Sequence, residues 1–172
     1  MNSSTAKKPF DAEVELIIGN SNSNFSGVTS TMLQVLSEQQ KLINLRVMGK
    51  HHLSDDSLNI SFWQIVKMCR TSWADGRFRV FHAVRVDEMI QALLLKHVFG
   101  AKIKIIFSSA AQRKRSGSTK WLTDKMDAVL AMCKASASYL HKKPDAVIYH
   151  GVKTEVYTPP QDKKIAWQAL EL

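Results

Sequence analysis

The sequence predicts an α/β domain in which helices cover a single doubly wound parallel sheet. Six short apolar segments alternate with segments of helical spacing along nearly the whole chain. Most of these apolar segments are continuous runs, which is typical of strands that are buried on both faces. Strands that alternate with helices need crossover connections, and crossovers make neighbouring strands parallel. The length of 172 residues suits one such domain.

Each predicted element rests on a local pattern. Helices are indicated by apolar side chains on one face, as for Phe62, Ile65 and Cys69 at i, i+3 and i+7. Strands are short apolar runs bounded by polar loops, and Gly100 is a helix stop signal. In chain order the predicted elements are strand 13–20, helix 27–41, strand 43–49, helix 60–70, strand 77–84, helix 86–100, strand 102–109, helix 118–126, strand 127–132, helix 134–141, strand 145–151 and helix 162–172.

The charge balance narrows the class of partner. Lys and Arg number 24 against 15 Asp and Glu, for a net charge of +9. Such a chain favours nucleic acid, nucleotides, phosphorylated sugars or an acidic membrane surface, and charge alone does not choose among them. Residues 1–12 are expected to be a flexible basic tail, without the apolar stretch of a signal peptide. No segment approaches the ~20 apolar residues of a membrane span, so a cytoplasmic protein is expected.

The first strand is followed by a loop with phosphate-binding features. In doubly wound sheets the ligand lies outside the carboxyl ends of the strands. Gly27 would let a ligand approach the backbone, and the helix start offers free N–H groups. Neither GxGxxG nor GxxxxGK[ST] is present, which excludes a classical dinucleotide site and a P-loop. The alternative is an ordinary polar loop in which Ser26 or Thr29 caps the helix.

The stretch "FHAVRVDEM" follows the third predicted strand. His82 lies near the carboxyl end of that strand, where a histidine could exchange protons or form hydrogen bonds near neutral pH. Arg85, Asp87 and Glu88 follow within one turn. The two carboxylates either face the cleft or complement the helix dipole. The spacing alone also allows His82 to be a core histidine with its hydrogen bonds satisfied inside the fold.

The stretch "FSSAAQRKRSGS" follows the fourth predicted strand. Ser109, Gln112 and Arg113 are hydrogen-bonding and cationic groups that suit sugar hydroxyls with a phosphate or carboxylate. The same cluster would suit RNA phosphates, or it is a solvated basic loop. No metal site is predicted, because the adjacent His51 and His52 have no further ligands near them in the sequence.

Five stretches in order along the chain resemble a known family. They are "SGVTSTM", "FHAVRVDEM", "FSSAAQR", "WLTDKMDAVLAMCKASASYL" and "VIYHGVKTEVYTPP". Together they resemble the N-terminal half of a family 4 glycosyltransferase of the GT-B fold, in particular the bacterial lipopolysaccharide core mannosyltransferases. The resemblance implies a Rossmann-like acceptor domain over residues 13–160. Residues 161–172 would be a linker or the start of a C-terminal donor domain that this sequence lacks.

The resemblance also implies site residues. Ser26, Gly27 and Val28 would lie beside the diphosphate of the donor, and His82 would be the catalytic residue that faces the donor sugar. The implied acceptor-binding residues are Arg85, Asp87, Glu88, Ser109, Gln112 and Arg113. The implied interdomain hinge residues are His150, Gly151 and Glu155. Neither a cofactor nor a metal is implied, and the nucleotide sugar, GDP-mannose, is a substrate of the complete enzyme.

The expected function is that of the acceptor-binding half of a retaining glycosyltransferase. It would transfer a hexose, mannose from GDP-mannose, to the lipopolysaccharide inner core, and it would be inactive without the donor domain. The expected partners are the lipopolysaccharide core or a lipid A-linked acceptor, with peripheral contact at the inner leaflet of the inner membrane. Two alternatives stay open: a non-catalytic module that binds acidic glycolipid or a partner chain, and a basic Rossmann-like nucleic-acid binder. The resemblance argues against nucleic acid.

Overall fold

A computed structural model of the chain describes residues 14–73 and 75–151, together with Asp162 and Trp167. Within this part of the chain, seven parallel strands form one sheet in the order β3-β2-β1-β4-β5-β6-β7. The strands are β1 Leu16–Gly19, β2 Leu45–Met48, β3 Asn59–Ile60, β4 Arg79–Ala83, β5 Ile103–Ser109, β6 Ala128–Ala131 and β7 Ala146–Val147. The predicted fold class, an α/β domain with a single doubly wound parallel sheet, is confirmed.

Serine side chains cap the N-termini of three of the helices. The hydroxyls of Ser26, Ser61 and Ser116 each accept a hydrogen bond from the backbone N–H three residues ahead. The helices are α1 Gly27–Leu42, α2 Phe62–Cys69, α3 Val86–Leu93, α4 Gly117–Asp124 and α5 Lys134–Ser138. A 3-10 turn precedes β3 at Asp56–Leu58, and a π-helical turn follows α3 at Leu94–Val98.

The structure differs from the predicted elements in three places. The strand β3 lies where the sequence predicts the end of a loop and the start of a helix, because Ser61 caps α2 and leaves the buried Ile60 to pair with β2. The helix predicted to reach Gly100 leaves α-geometry at Leu94. The last strand is limited to two residues, and the helix predicted over 162–172 falls almost entirely outside the described residues.

The helices cover the two faces of the sheet unequally. A large buried cluster packs side chains of α2, α3 and α4 on one face, with Phe81 and Phe107 of the central strands among its largest members. A smaller cluster packs Met32 and Leu36 of α1 against β1 and β2. Each fully buried apolar side chain of this size contributes about 1.5–3 kcal/mol to stability. The three central strands β1, β4 and β5 therefore form a rigid base for the loops at their carboxyl ends.

The strand order reverses between β1 and β4. The chain leaves β1 through α1 towards one edge of the sheet, and it leaves β4 through α3 towards the other. The loops before α1 and α3 therefore separate at the carboxyl ends of these two strands, which is where doubly wound sheets bind ligands. None of the helices in the described ranges has the length and apolar character needed to cross a lipid bilayer.

Candidate functional site

A cleft of about 120 Å³ opens at the carboxyl ends of the central strands. Its walls come from α1, β1, β4 and the segments that follow β5, β6 and β7. The lining residues are Ile18, Gly27, Val28, Thr31, Met32, Val35, Gln39, His82, Val84, Ala110, Met132 and His150. Residues that the sequence analysis assigned to the donor loop, the catalytic position and the hinge thus meet at one cleft.

Gly27 forms part of the cleft wall at the start of α1. Ser26 precedes it as the helix cap, and its Oγ accepts from the backbone N–H of Thr29 at 3.4 Å. A Cβ atom placed on Gly27 would meet no atom within 4 Å. Packing therefore does not require glycine here, and its missing side chain leaves space beside the N–H groups of the first helical turn. That space suits a phosphate group.

Arg85 ties the starts of α1 and α3 together. One guanidinium nitrogen, Nη2, donates to the hydroxyls of Ser26 and Thr29, each at 2.9 Å. The other, Nη1, lies 3.2 Å from a carboxylate oxygen of Glu88. Only 15 % of the Arg85 side chain is exposed. Arg85 therefore holds the rim of the cleft, and only a small part of it is open to an acceptor.

Glu88 lies inside the fold, behind Arg85. Its carboxylate accepts from the backbone N–H groups of Val84 and Arg85 at 2.8 and 3.0 Å, and it has no exposed surface. Burial raises the pKa of Glu88, and the two backbone N–H groups act in the opposite direction. A Cβ on Gly19 would come within 2.9 Å of the Glu88 side chain, so the glycine makes room for it. Glu88 would therefore affect an acceptor only indirectly, by positioning Arg85.

His82 projects from β4 into the cleft and is half-buried. Its Nε2 lies 2.7 Å from the Ser108 hydroxyl on the neighbouring strand β5. Burial lowers the pKa of His82 to about 4, so the ring is uncharged at neutral pH. An uncharged imidazole can exchange a hydrogen bond with a sugar hydroxyl. An imidazolium would repel positive charge that develops nearby, whereas the uncharged ring does not.

The segment after β5 divides into an inward and an outward part. Ser109 is fully buried, and its hydroxyl accepts from Arg115 at 2.6 Å, so this serine anchors the loop. Gln112 and Arg113 are exposed. The Gln112 amide lies 3.7 Å from the Cys133 sulfur, at the end of β6. Of the three acceptor candidates in this segment, Gln112 and Arg113 face solvent and Ser109 does not.

Two further predicted site residues, Asp87 and Gly151, do not line the cleft. The Ser21 hydroxyl donates to the exposed Asp87 carboxylate, which connects the loop after β1 to the start of α3. His150 lines the cleft, and Gly151 follows it on the surface. Glu155, the third predicted hinge residue, lies outside the described residues.

One buried polar residue directly after β1 was not singled out by sequence reasoning. Asn20 follows β1, is 1 % exposed, and donates through Nδ2 to the His51 carbonyl at 2.7 Å. Gly49 makes this close approach possible: its φ is +115°, and a Cβ there would lie 2.1 Å from the Asn20 carbonyl oxygen. The only sequence signal was an asparagine directly after a strand, which is equally typical of an ordinary turn.

Comparison with known proteins gives a consistent result for most of the chain. No protein-family model matches it. The lipopolysaccharide core biosynthesis mannosyltransferase LpcC of Rhizobium leguminosarum bv. viciae is 39 % identical over 150 residues, which is 87 % of this chain and 42 % of that protein. The enzyme of the same description from Rhizobium meliloti strain 1021, LpsB, is 38 % identical over 162 residues, or 93 % of this chain and 45 % of that protein. The chain thus spans less than half the length of the curated relatives it matches.

Proposed function

The chain belongs to the family of bacterial lipopolysaccharide core mannosyltransferases, and we propose that it forms the acceptor-side domain of such an enzyme. The proposed reaction moves a hexose, mannose from GDP-mannose, to a hydroxyl of the lipopolysaccharide inner core with retention at the anomeric carbon. The part of the relatives that this chain does not match would bind most of the nucleotide sugar. On this proposal the chain by itself binds the acceptor but does not catalyse sugar transfer.

The observation that carries the proposal is the position of the cleft. It lies where the strand order reverses, and it brings the start of α1 together with His82 and His150. These residues come from three distant parts of the sequence. Their convergence supports a ligand site, because ligands bind at this point in doubly wound sheets. The sequence identity to mannosyltransferases gives the chemical class of the ligand.

The proposed chemistry follows from the charges that develop during sugar transfer. The bond between the anomeric carbon and the diphosphate oxygen breaks, a bond from that carbon to the acceptor oxygen forms, and the proton of the acceptor hydroxyl passes to the leaving diphosphate. Negative charge grows on the leaving diphosphate, and the N–H groups at Gly27 and Val28 would stabilise it. Positive charge grows on the sugar ring, and the uncharged His82 would accommodate it.

The proposed acceptor contacts are on the outward side of the loop after β5. Gln112 offers an amide for sugar hydroxyls, and Arg113 offers a planar guanidinium for a carboxylate or phosphate. The exposed carboxylate of Asp87, at the start of α3, could accept from a sugar hydroxyl. An acidic inner-core oligosaccharide would match this mixture of groups and the net charge of +9.

The net charge of +9 also favours the alternative of a nucleic-acid binder, and one experiment separates the two. Titration calorimetry would compare an inner-core oligosaccharide with a single-stranded RNA of similar charge, for the wild type, Arg113→Gln and Arg77→Gln. Arg77 is a matched control, because it is an exposed arginine that lies before β4, at the opposite end of the sheet. We expect Arg113→Gln to weaken oligosaccharide binding by roughly tenfold, because a charge-assisted hydrogen bond is lost. Arg77→Gln should leave oligosaccharide binding unchanged.

Other results would favour the alternatives. Equal weakening by both arginine variants, with strongly salt-dependent RNA binding, would replace the proposal with non-specific anion binding. Specific oligosaccharide binding without transfer, even after the unmatched part of a relative is supplied, would favour a non-catalytic glycolipid-binding module.

A further inference from the structure

An apolar surface lies between α3 and α4, away from the cleft. We call Ile90, Leu94, Val98 and Trp121 the α3/α4 patch. These side chains are 45 %, 42 %, 67 % and 60 % exposed, respectively. A groove of about 660 Å³ runs between the two helices beneath three of them. Single exposed apolar residues are ordinary on protein surfaces, whereas several that surround one groove indicate an interaction surface.

The patch is additional to the apolar face that α3 uses in the core. Met89 and Ala92 are fully buried and hold α3 against the sheet. Ile90 lies on α3, and Leu94, four residues later, begins the π-helical turn that continues it; both face outward, on a second side. The fold therefore does not need these outward residues to be apolar, and their character calls for a partner outside the described part of the chain.

The surroundings of the patch are basic. The exposed Lys120 precedes Trp121, and the Nζ atom of Lys125 lies 5.6 Å from the centre of the Trp121 ring. The exposed His97 lines the same groove. The nearest carboxylate on α4, Asp124, lies 2.8 Å from the ring nitrogen of His141. A tryptophan flanked by lysines is typical of the boundary between lipid headgroups and acyl chains.

We propose that the α3/α4 patch seats the protein on an anionic phospholipid surface. Trp121, Leu94 and Val98 would enter the headgroup region, and Lys120 and Lys125 would contact lipid phosphates. This inference rests on the proposed function, because a lipopolysaccharide core acceptor is carried on a lipid. The patch residues lie on turns of α3 and α4 that run back from the carboxyl end of the sheet, so membrane contact there would leave the cleft open.

Charge favours a lipid surface over a second copy of the chain as the occupant. Two copies that met through this patch would bring Lys120 and Lys125 of each close together, and each copy carries a net charge of +9. An anionic bilayer instead attracts these lysines, by about 1 kcal/mol for each basic residue near the surface.

Vesicle co-sedimentation of the 172-residue chain tests the proposal. The vesicles are phosphatidylcholine with about 30 mol% phosphatidylglycerol, and phosphatidylcholine alone serves as the uncharged comparison. The variants are Trp121→Ser and the double change Leu94→Ser with Trp121→Ser. Leu42→Ser is the matched control, because Leu42 is an apolar residue, 86 % exposed, at the end of α1.

We expect the wild type and Leu42→Ser to bind the anionic vesicles equally and the double variant to bind at least about tenfold more weakly. The Trp121→Ser variant should lie between them, and replacing Lys120 and Lys125 by Gln should weaken binding to anionic vesicles only. Unchanged vesicle binding by the double variant would overturn the proposal, and so would absence of binding by the wild type. Self-association that the double variant abolishes, without vesicle binding, would identify a second copy as the occupant.

Binding of soluble inner-core oligosaccharide, measured on the same variants, separates this inference from the proposed function. The patch lies outside the cleft, so oligosaccharide affinity should be the same in the wild type and the double variant. Loss of vesicle binding with retained oligosaccharide binding supports both proposals. Oligosaccharide binding without any vesicle binding overturns the membrane surface alone.

Discussion

The guanidinium group of Arg85 donates to the hydroxyl of Ser26 at 2.9 Å. These two residues are 59 positions apart in the sequence, one after β4 and one at the start of α1. Their hydrogen bond spans the point where the strand order reverses. A second hydrogen bond of the same length joins Arg85 to Thr29, and an ion pair joins it to the buried Glu88. The rim of the cleft is therefore held by one side chain that contacts both of its helices.

Replacing Arg85 by Met should lower the free energy of unfolding by roughly 2–4 kcal/mol, because the change leaves the buried Glu88 carboxylate without its cation. Replacement by Lys should cost less, since charge is kept, but an ammonium cannot reproduce the fork that reaches both helices. Urea unfolding at pH 7 measures both effects. Arg77→Met is the control and should change stability by less than about 1 kcal/mol, as expected for an exposed ion pair. A stable Arg85→Met protein would show that the rim does not depend on this side chain.

Gly27→Ala and Gly117→Ala form a matched pair. Each glycine is the first residue of a helix, follows a capping serine and has no atom within 4 Å of an added Cβ. Both changes should leave stability unchanged or raise it by up to about 1 kcal/mol. Only Gly27 lines the cleft, so only Gly27→Ala should weaken the binding of GDP, which NMR titration can measure even when the affinity is low. Equal effects of the two changes, or no GDP response at Gly27, would contradict the placing of the diphosphate at α1.

His82 should make stability depend on pH. Its pKa is about 4 in the fold and 6.5 ordinarily, so the unfolded chain binds more protons between these values. The free energy of unfolding should therefore fall as pH drops from about 6.5 towards 4, by roughly 2–3 kcal/mol from this ring. His82→Gln lacks the titrating ring, and its loss of stability between pH 7 and pH 4.5, measured by urea unfolding, should be smaller by that amount. Equal losses in the two proteins would refute the low pKa.

The two cysteines should react at very different rates. Burial raises the pKa of Cys69 to about 11, whereas the backbone N–H of Ser136, hydrogen-bonded to the sulfur, lowers the pKa of Cys133. Because the thiolate is the reactive form, iodoacetamide should modify Cys133 first and Cys69 only when the protein unfolds. Mass spectrometry of the modified peptides over time measures this order. Rapid modification of Cys69 in the native Cys133→Ser variant would show that the packing of α2 against the sheet opens readily.

The position of the cleft could be predicted from the sequence because one rule of parallel sheets governs it. Gly27, His82 and His150 each follow or end a predicted strand, and all three line one cleft. Apolar runs and capping serines are local signals, so most strands and helix starts could also be predicted from the sequence. The two-residue strand β3 was not, since it is too short to show any periodicity.

The direction of individual side chains could not be predicted. Glu88 in the first turn of a helix looks the same in sequence whether it faces solvent or folds inward, and the space left by Gly19 decides the matter. The alternation along β5 does place Ser109 on the same face as the buried Ile105 and Phe107, but the hydrogen bond that it accepts from Arg115 has no signal in the sequence. Such long-range contacts depend on how the loops close in three dimensions, and no local pattern encodes them.

The most direct test of the central claim is an NMR titration of the ¹⁵N-labelled chain with an inner-core oligosaccharide and, separately, with GDP-mannose. An acceptor-side domain should show perturbations at His82, Gln112 and Arg113 with the oligosaccharide. GDP-mannose should cause smaller changes, at the start of α1 and at His82, and none at Gln112 or Arg113. If the oligosaccharide leaves these three residues unperturbed, the cleft is not an acceptor site and the proposed function fails.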